Sequence, residues 1–500
     1  MDDVRTHNEN EDQLQASLFD GGVSAPESHI ETETSAAQST MSRHRSRRHK
    51  REHNQKEVST RTAAIGAIGI LALGLLVPSC VGPFLTGGST GSTTLASGSL
   101  MKNLRESVRA EPMLNVRIAR NEQRIELKGA NRILVRSSDG DVNGELLFSP
   151  VVAQRNGNGI TLRDAQGKVV NYISALVSNA DPRVPHAKLT IDIGDASYPG
   201  SVLLSPNSSS AAAGLDAINE VAMERYLVGV LAKELPTSWD EETLMAQAIA
   251  ARSYALHESL RRLERGGSVD LESTDLDQVY GGAVEIASAQ RAVERTRGMV
   301  LVDDGELVRA YYSSTCGGRP AAAADVWPAT GSMAFNSLPA LQGSDRESAC
   351  EDSKFYRWTI KRTRKDVETR LRAWGRRNKH AMMDMESLSS IKVYRRSISK
   401  RPGWYEIKDS KGKTYKLRAE DLRVALNETA NIGRPGTNDL VRSGDFEVFI
   451  EGQSITINGR GWGHGVGMCQ FCAQGFAEKG WSHEKMLETF YPGAQIGKVY

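Results

Sequence analysis

Between Gly459 and Gln470 the chain reads Gly-Arg-Gly-Trp-Gly-His-Gly-Val-Gly-Met-Cys-Gln, with glycine at every second position. Such a backbone bends sharply and approaches a ligand closely, at an entropic cost that a plain linker has no reason to bear. Arg460, Trp462 and His464 alternate with the glycines and Gln470 follows them. These side chains clamp, stack on and hydrogen-bond a polar polymer. A phosphate cradle is excluded, because neither GxGxxG spacing nor a Lys-Ser/Thr pair is present. A second chemistry-bearing set is Cys316, Cys350, Cys469 and Cys472. The Cys469-Gln-Phe-Cys472 gap is that of zinc and redox sites, although no second pair of that kind completes it. Under oxidising conditions the same thiols would form disulfides.

The elements that must position these residues differ along the chain. From about Leu114 to Glu220 short alternating runs recur, among them Arg124-Ile-Glu-Leu, Ile133-Leu-Val and Gly159-Ile-Thr-Leu. Turn signals at Asp139-Gly, Asn156-Gly and Pro206-Asn separate them, which predicts an antiparallel β-rich subdomain over 114–220. Helix character begins near Val221. Ser238 with Glu241 reads as a capping box opening a helix that Gly266-Gly267 ends. Gln247, Ala251 and Tyr254 share one face of that helix, with Arg252 beside them. Another helix is expected over 284–298, then strands at Val300–Asp303 and Leu307–Tyr312, the latter leading into the polar turn Ser313-Ser-Thr-Cys-Gly-Gly318. A basic helix from Arg362 to Lys379 and a hairpin through Trp404 and Thr414 mark an inserted α/β region at about 360–445. The expected fold class is α+β.

Residues 1–62 read as a disordered cytoplasmic tail that is acidic up to residue 40 and carries a basic run from Arg43 to Lys56. Ala63 to Leu85 is charge-free and largely apolar, long enough for one membrane crossing of about 20 residues. The basic run before it should stay cytoplasmic. The segment is therefore read as an uncleaved signal anchor of the cytoplasmic membrane, with residues 86–500 extracytoplasmic and 86–113 a flexible linker. A formal charge of +2 over 500 residues gives no electrostatic footprint for nucleic acid.

An ordered set of motifs then carries a resemblance. Tyr226-Leu-Val-Gly-Val-Leu-Ala-Lys-Glu-Leu-Pro236 precedes Gln247-Ala-Ile-Ala-Ala-Arg-Ser-Tyr254 and Asp277-Gln-Val-Tyr-Gly-Gly282. Tyr312-Ser-Ser-Thr-Cys-Gly-Gly318, the alternating-glycine stretch and Phe490-Tyr-Pro-Gly493 follow. From about Leu114 to Gly493 the chain resembles the SpoIID/LytB family, named for stage II sporulation protein D and an amidase enhancer.

The resemblance implies a SpoIID-like catalytic domain over 221–500 that acts on peptidoglycan glycan strands. The sporulation member is a lytic transglycosylase of strands stripped of stem peptides, and its single catalytic Glu falls on Glu234. One carboxyl group suffices when it first donates a proton and then removes one, and an apolar neighbourhood from Leu231, Leu235, Pro236 and Trp239 would keep it protonated. The competing reading of Glu234 is a charge just ahead of the helix that follows. Gln247, Arg252, Gln278, Tyr280, Ser313, Ser314, Arg460, Trp462, His464 and Gln470 are expected to shape the substrate cleft. The chemistry requires no cofactor. A structural zinc on Cys316, Cys350, Cys469 and Cys472, with His464 as a substitute ligand, competes with a Cys316–Cys350 disulfide. The amidase-enhancer branch implies a second function class, a non-catalytic activator with a cell-wall amidase as partner.

Overall fold

A computed structural model describes residues 110–139, 144–180, 190–207, 214–429, 433 and 435–500. The tail, the anchor at 63–85 and nearly all of the linker lie outside the described residues. Among those described, no helix is long and apolar enough to cross a membrane.

The alternating runs form strands because period-two burial puts one apolar face inward. Ile125 and Leu127, Ile133 and Val135, and Ile160 and Leu162 are all buried. Met113–Glu122 and Leu215–Ala222 pair antiparallel within a seven-stranded sheet. A six-stranded sheet includes Arg124–Lys128, Val151–Asn156 and Gly159–Arg163. The inward faces of both sheets belong to one apolar cluster, which continues into the helices that follow. The architecture mixes helices with several, largely antiparallel, sheets.

Strand Leu215–Ala222 runs directly into helix α1, Met223–Glu234. Helix α2, Glu241–Glu264, crosses behind it. Its N-cap is Asp240, whose side chain accepts from Glu242 N at 2.9 Å, rather than Ser238. Ser238 remains in a turn closed by Trp239 N donating to Pro236 O. Alanines at 246, 248, 250, 251 and 255 let neighbouring elements approach α2 so closely that its middle turns are buried all round. A face of Gln, Arg and Tyr that would be solvated on an isolated helix is therefore interior.

Helix α3 (Ala287–Arg295) leads to strand Met299–Asp303. The run expected as one strand from Leu307 to Tyr312 is broken. Only Glu306–Leu307 and Tyr312–Ser313 pair, the latter parallel to Met468–Cys469. That parallel pair brings the polar turn against the alternating-glycine loop.

The inserted region has its own apolar cluster, from Trp358 to Ile457. The predicted basic helix begins later than expected, as α4, Arg364–Arg377, because Trp358–Thr363 is a strand paired to Ser454–Gly459. Thr363 caps it by accepting from Asp366 N. The hairpin is present as Pro402–Asp409 and Thr414–Arg418, with Leu388–Arg396 on its other edge. Helix α5 follows at Ala419–Leu426, and α6 (Gln470–Ala477) and α7 (His483–Phe490) close the chain.

Candidate functional site

Glu234 is the last residue of α1. This is the opposite of a charge ahead of a helix N-terminus, because the negative end of the helix dipole disfavours a carboxylate here. Leu231 and Leu235 beside it are fully buried, and Glu234 itself is 7% exposed. Burial pushes its carboxyl group up to about 7. Three donors pull the other way: Val279 N–H, 3.1 Å from Oε1, the Tyr312 hydroxyl and the Gln470 amide. A buried carboxyl group with so raised a pKa, lining a cleft, is a candidate for proton transfer.

The side chain opens into a partly open cleft. Ser313, Ser314 and Tyr312 line it from the parallel strand pair, and His464 and Gln470 from the glycine loop. Asp275, Asp277 and Val279 line its other side. Among the residues the sequence singled out, the fold thus gathers Glu234, Ser313, Ser314, His464 and Gln470.

A relay of hydrogen bonds fixes which way Tyr312 points its proton. Gln278 Nε2 donates to Ala251 O at 3.2 Å and to Tyr312 Oη at 3.0 Å. Its Oε1 accepts from Tyr226 Oη at 3.1 Å. The Tyr312 oxygen therefore accepts a hydrogen bond from Gln278, and its own hydrogen is left for Glu234. Val279, Tyr312 and Gln470 are all donors to Glu234, so none of the three accepts the acid's own proton.

His464 is held as a neutral ring. Its Nδ1 accepts from Val466 N at 3.0 Å. Burial chiefly pushes its pKa down to about 4, while its bond to the Tyr312 carbonyl favours the protonated form. It packs against Tyr311 and Trp327 and cannot serve as a proton carrier near neutrality. Gly461 (φ 74°) and Gly467 (φ 68°) show what the loop's glycines are for. A Cβ at these positions would lie 2.3 Å from Thr315 O and 2.1 Å from Tyr311 O, so the loop packs backbone against backbone.

Several residues expected in the cleft are elsewhere. Arg252 is fully buried and grips Glu224 with Nε at 3.0 Å and Nη2 at 2.6 Å. Its Nη1 donates to Met299 O, so it pins α2 to α1 and to strand Met299–Asp303. Tyr280 bonds Asn219 Oδ1 and packs on Tyr226, joining α1 to the β-sheets. Trp462 is 2% exposed and meets Phe355 edge-on, so it offers no sugar-stacking face. Arg460 is half-buried, beside Gly317 and away from the cleft lining. Gln247 and Gln278 lie behind the wall, Gln247 accepting from Gln470 Nε2 at 3.4 Å. These residues are polar because buried polar groups hold the scaffold together, a pattern that spacing alone does not distinguish from a binding face. Conversely, Asp275 and Asp277 were not foreseen as cleft residues, while Tyr312, whose motif leaves packing and ligand contact equally open, lines the cleft. The sequence signals for the two aspartates were the place of Asp277 at the head of the Asp277-Gln-Val-Tyr-Gly-Gly282 motif and the i, i+2 placement of Asp275 before it.

The four cysteines converge, all buried and with free thiols. Cys316 Sγ lies 3.8 Å from Cys350 Sγ and 3.7 Å from Cys472 Sγ, and all four sulfurs lie within 4.8 Å of one another. Tetrahedral zinc with bonds of about 2.3 Å sets sulfurs roughly 3.8 Å apart, so the donor set fits that ion. His464 is not in the group.

Comparison with known proteins finds similar sequences. Residues 211–302 match the family model described as Stage II sporulation protein, and 329–467 match a domain of unknown function. An uncharacterised protein of Brachyspira hyodysenteriae is 29% identical over 300 residues, 60% of this chain and 72% of that protein. The amidase enhancer of Bacillus subtilis is 27% identical over 312 residues, 54% of this chain, which spans only 40% of that relative's length. Stage II sporulation protein D of Bacillus subtilis is 25% identical over 300 residues, 56% of this chain and 76% of that protein. The motifs, the matched model and these relatives together make the chain similar to the SpoIID/LytB family.

Proposed function

We propose that this protein is an extracytoplasmic peptidoglycan lytic transglycosylase in which Glu234 acts first as acid and then as base. The observation that carries the reading is a buried carboxyl group at a helix C-terminus, raised to about 7, bonded by three donors and lining a cleft. In the first step Glu234 gives its proton to the glycosidic oxygen as the bond from that oxygen to the anomeric carbon breaks. In the second, the Glu234 carboxylate removes the proton of the muramic hydroxyl as that oxygen bonds the same carbon. An anhydromuramic end forms, no water is consumed, and the acid is regenerated. The Val279, Tyr312 and Gln470 donors stabilise the carboxylate between the two steps. Substrate strands without stem peptides suit this reading, with residues 63–85 holding the domain at the membrane. Incubating the chain with denuded strands should yield anhydro ends by mass spectrometry, and Glu234→Gln should yield none. Activity retained in that variant would refute the mechanism.

Cys316, Cys350, Cys469 and Cys472 would hold a zinc ion, and with four protein ligands it would tie the polar turn to the glycine loop without entering the chemistry. A second reading is favoured by one finding, the relative named amidase enhancer. In it the cleft binds peptidoglycan and the domain activates a cell-wall amidase. A rise in amidase turnover on adding the Glu234→Gln chain would support it, and unchanged turnover would count against it.

A further inference from the structure

The inserted region presents a second face that the catalytic reading does not use. Its three-stranded sheet buries Ile391, Tyr405, Ile407, Tyr415 and Leu417 on one side. Alternation sends Lys392, Tyr394, Trp404, Glu406, Lys408, Lys416 and Arg418 to the other. Tyr394 is 54% exposed, and the Lys416 ammonium lies 3.8 Å from its ring centroid. The Arg418 guanidinium lies 5.4 Å from the Trp404 ring centroid. Arg418 Nε is buried and has no hydrogen-bond partner among the described residues. Glu406 is the one carboxylate of the face and is held by Lys408 at 3.4 Å, while Asp421 approaches Arg418 from the next helix. Arg395, on the rim, is taken by Asp325. Cations outnumber acids, and two aromatic rings lie among them.

We propose that this sheet face binds a glycan strand carrying free carboxylates, namely the peptidoglycan strand after its stem peptides have been removed. The inference rests on the substrate class proposed above. Aromatic rings on an open sheet offer flat apolar surface for pyranose faces, and flanking ammonium groups suit an anion repeated along the chain. Removing a stem peptide by amide hydrolysis leaves one carboxylate on each muramic unit, where an intact strand has a neutral amide. Register supplies the spacing. Lys392 pairs with Glu406 and Glu406 with Lys416, so the two lysines stand two strand separations apart, roughly 10 Å, close to the length of one disaccharide. The face would select denuded strands and hold them near the cleft, since the turn joining Leu388–Arg396 to Pro402–Asp409 contacts the polar turn through Arg401 donating to Cys316 O and Arg319 O.

The test uses the full chain carrying Glu234→Gln, so that strands are bound and not cut. Affinity is measured for soluble denuded strands, for strands that keep their stem peptides, and for neutral chitin oligosaccharides. Denuded strands should bind at least tenfold more tightly than either of the others. Tyr394→Ala combined with Lys416→Glu should weaken their binding about tenfold, and Lys392→Glu should do so with a reduced dependence on salt. Lys361→Glu, on the exposed face of the neighbouring sheet, should change nothing. Lys392→Gln with Lys416→Gln, milder changes at exposed positions, serves if charge reversal disturbs the sheet. Unchanged affinity in folded sheet variants, or equal affinity for neutral oligosaccharides, overturns the proposal. So does a surface that loses only binding to phosphate-bearing wall polymers. A wild-type chain that fails to generate anhydro ends would sink the catalytic reading while leaving these binding measurements decisive on their own.

Discussion

Tyr312→Phe tests whether the wall around Glu234 is tuned by donors. The carboxyl group sits at about 7 because burial raises it while Val279, Tyr312 and Gln470 stabilise the anion. Phenylalanine keeps the ring and removes one of those donors. A hydrogen bond to a charged group contributes about 1.5–3 kcal/mol, and about 1.4 kcal/mol is one pKa unit. Loss of the hydroxyl should therefore raise Glu234 by about 1–2 units. Carboxyl titration followed by NMR with labelled glutamate reads this directly, with or without turnover. In the pH–rate profile the alkaline limb should move upward by the same amount, while the turnover that depends on the carboxylate as base falls. Gln278→Leu should move the limb the same way by less, because Tyr312 keeps its proton but loses the partner that aims it. Packing damage alone would lower activity without moving either titration. A Glu234 titration that stays in place or moves downward in Tyr312→Phe would refute the donor-wall reasoning.

Other outcomes follow from the same geometry. Because the folded pKa of Glu234 lies above its unfolded value, its contribution to stability is full below about pH 4.5 and is lost as pH rises through 7, a difference of about 3 kcal/mol. Glu234→Gln should therefore raise the melting temperature more at pH 8 than at pH 5, and a uniform shift would argue against a strained carboxylate. Metal analysis should find one zinc per chain, and Cys350→Ser or a strong chelator should release it and lower the melting temperature; a metal-free chain with the same stability would exclude the ion. Arg252→Met should destabilise the fold by about 3–5 kcal/mol by leaving buried Glu224 uncompensated, with loss of activity tracking loss of folded protein in denaturant titrations. Gly467→Ala should be strongly destabilising, because its Cβ would meet Tyr311 O at a left-handed φ; a variant with wild-type stability would mean that the loop is not packed as described.

Local pattern determined much of this protein by itself. Period-two runs marked the strands from Leu114 onward, Gly266-Gly267 marked the end of α2, and the hairpin at Trp404 and Thr414 lay where turn chemistry placed it. The order of the motifs carried the family resemblance and pointed to Glu234. The tertiary structure decided which polar residues face the cleft. Arg252 and Tyr280 carry the same motif signal as Glu234, yet the fold spends them on internal bonds to Glu224 and Asn219. It also decided that Glu234 ends a helix instead of preceding one, that Tyr312 donates to it, and that four cysteines scattered from 316 to 472 share one pocket. Helix and strand formation depends on neighbours a few positions apart, which the sequence displays. The protonation of a carboxyl group and the direction of a hydrogen bond depend on burial and on partners up to 236 positions away, which only the packed chain brings together.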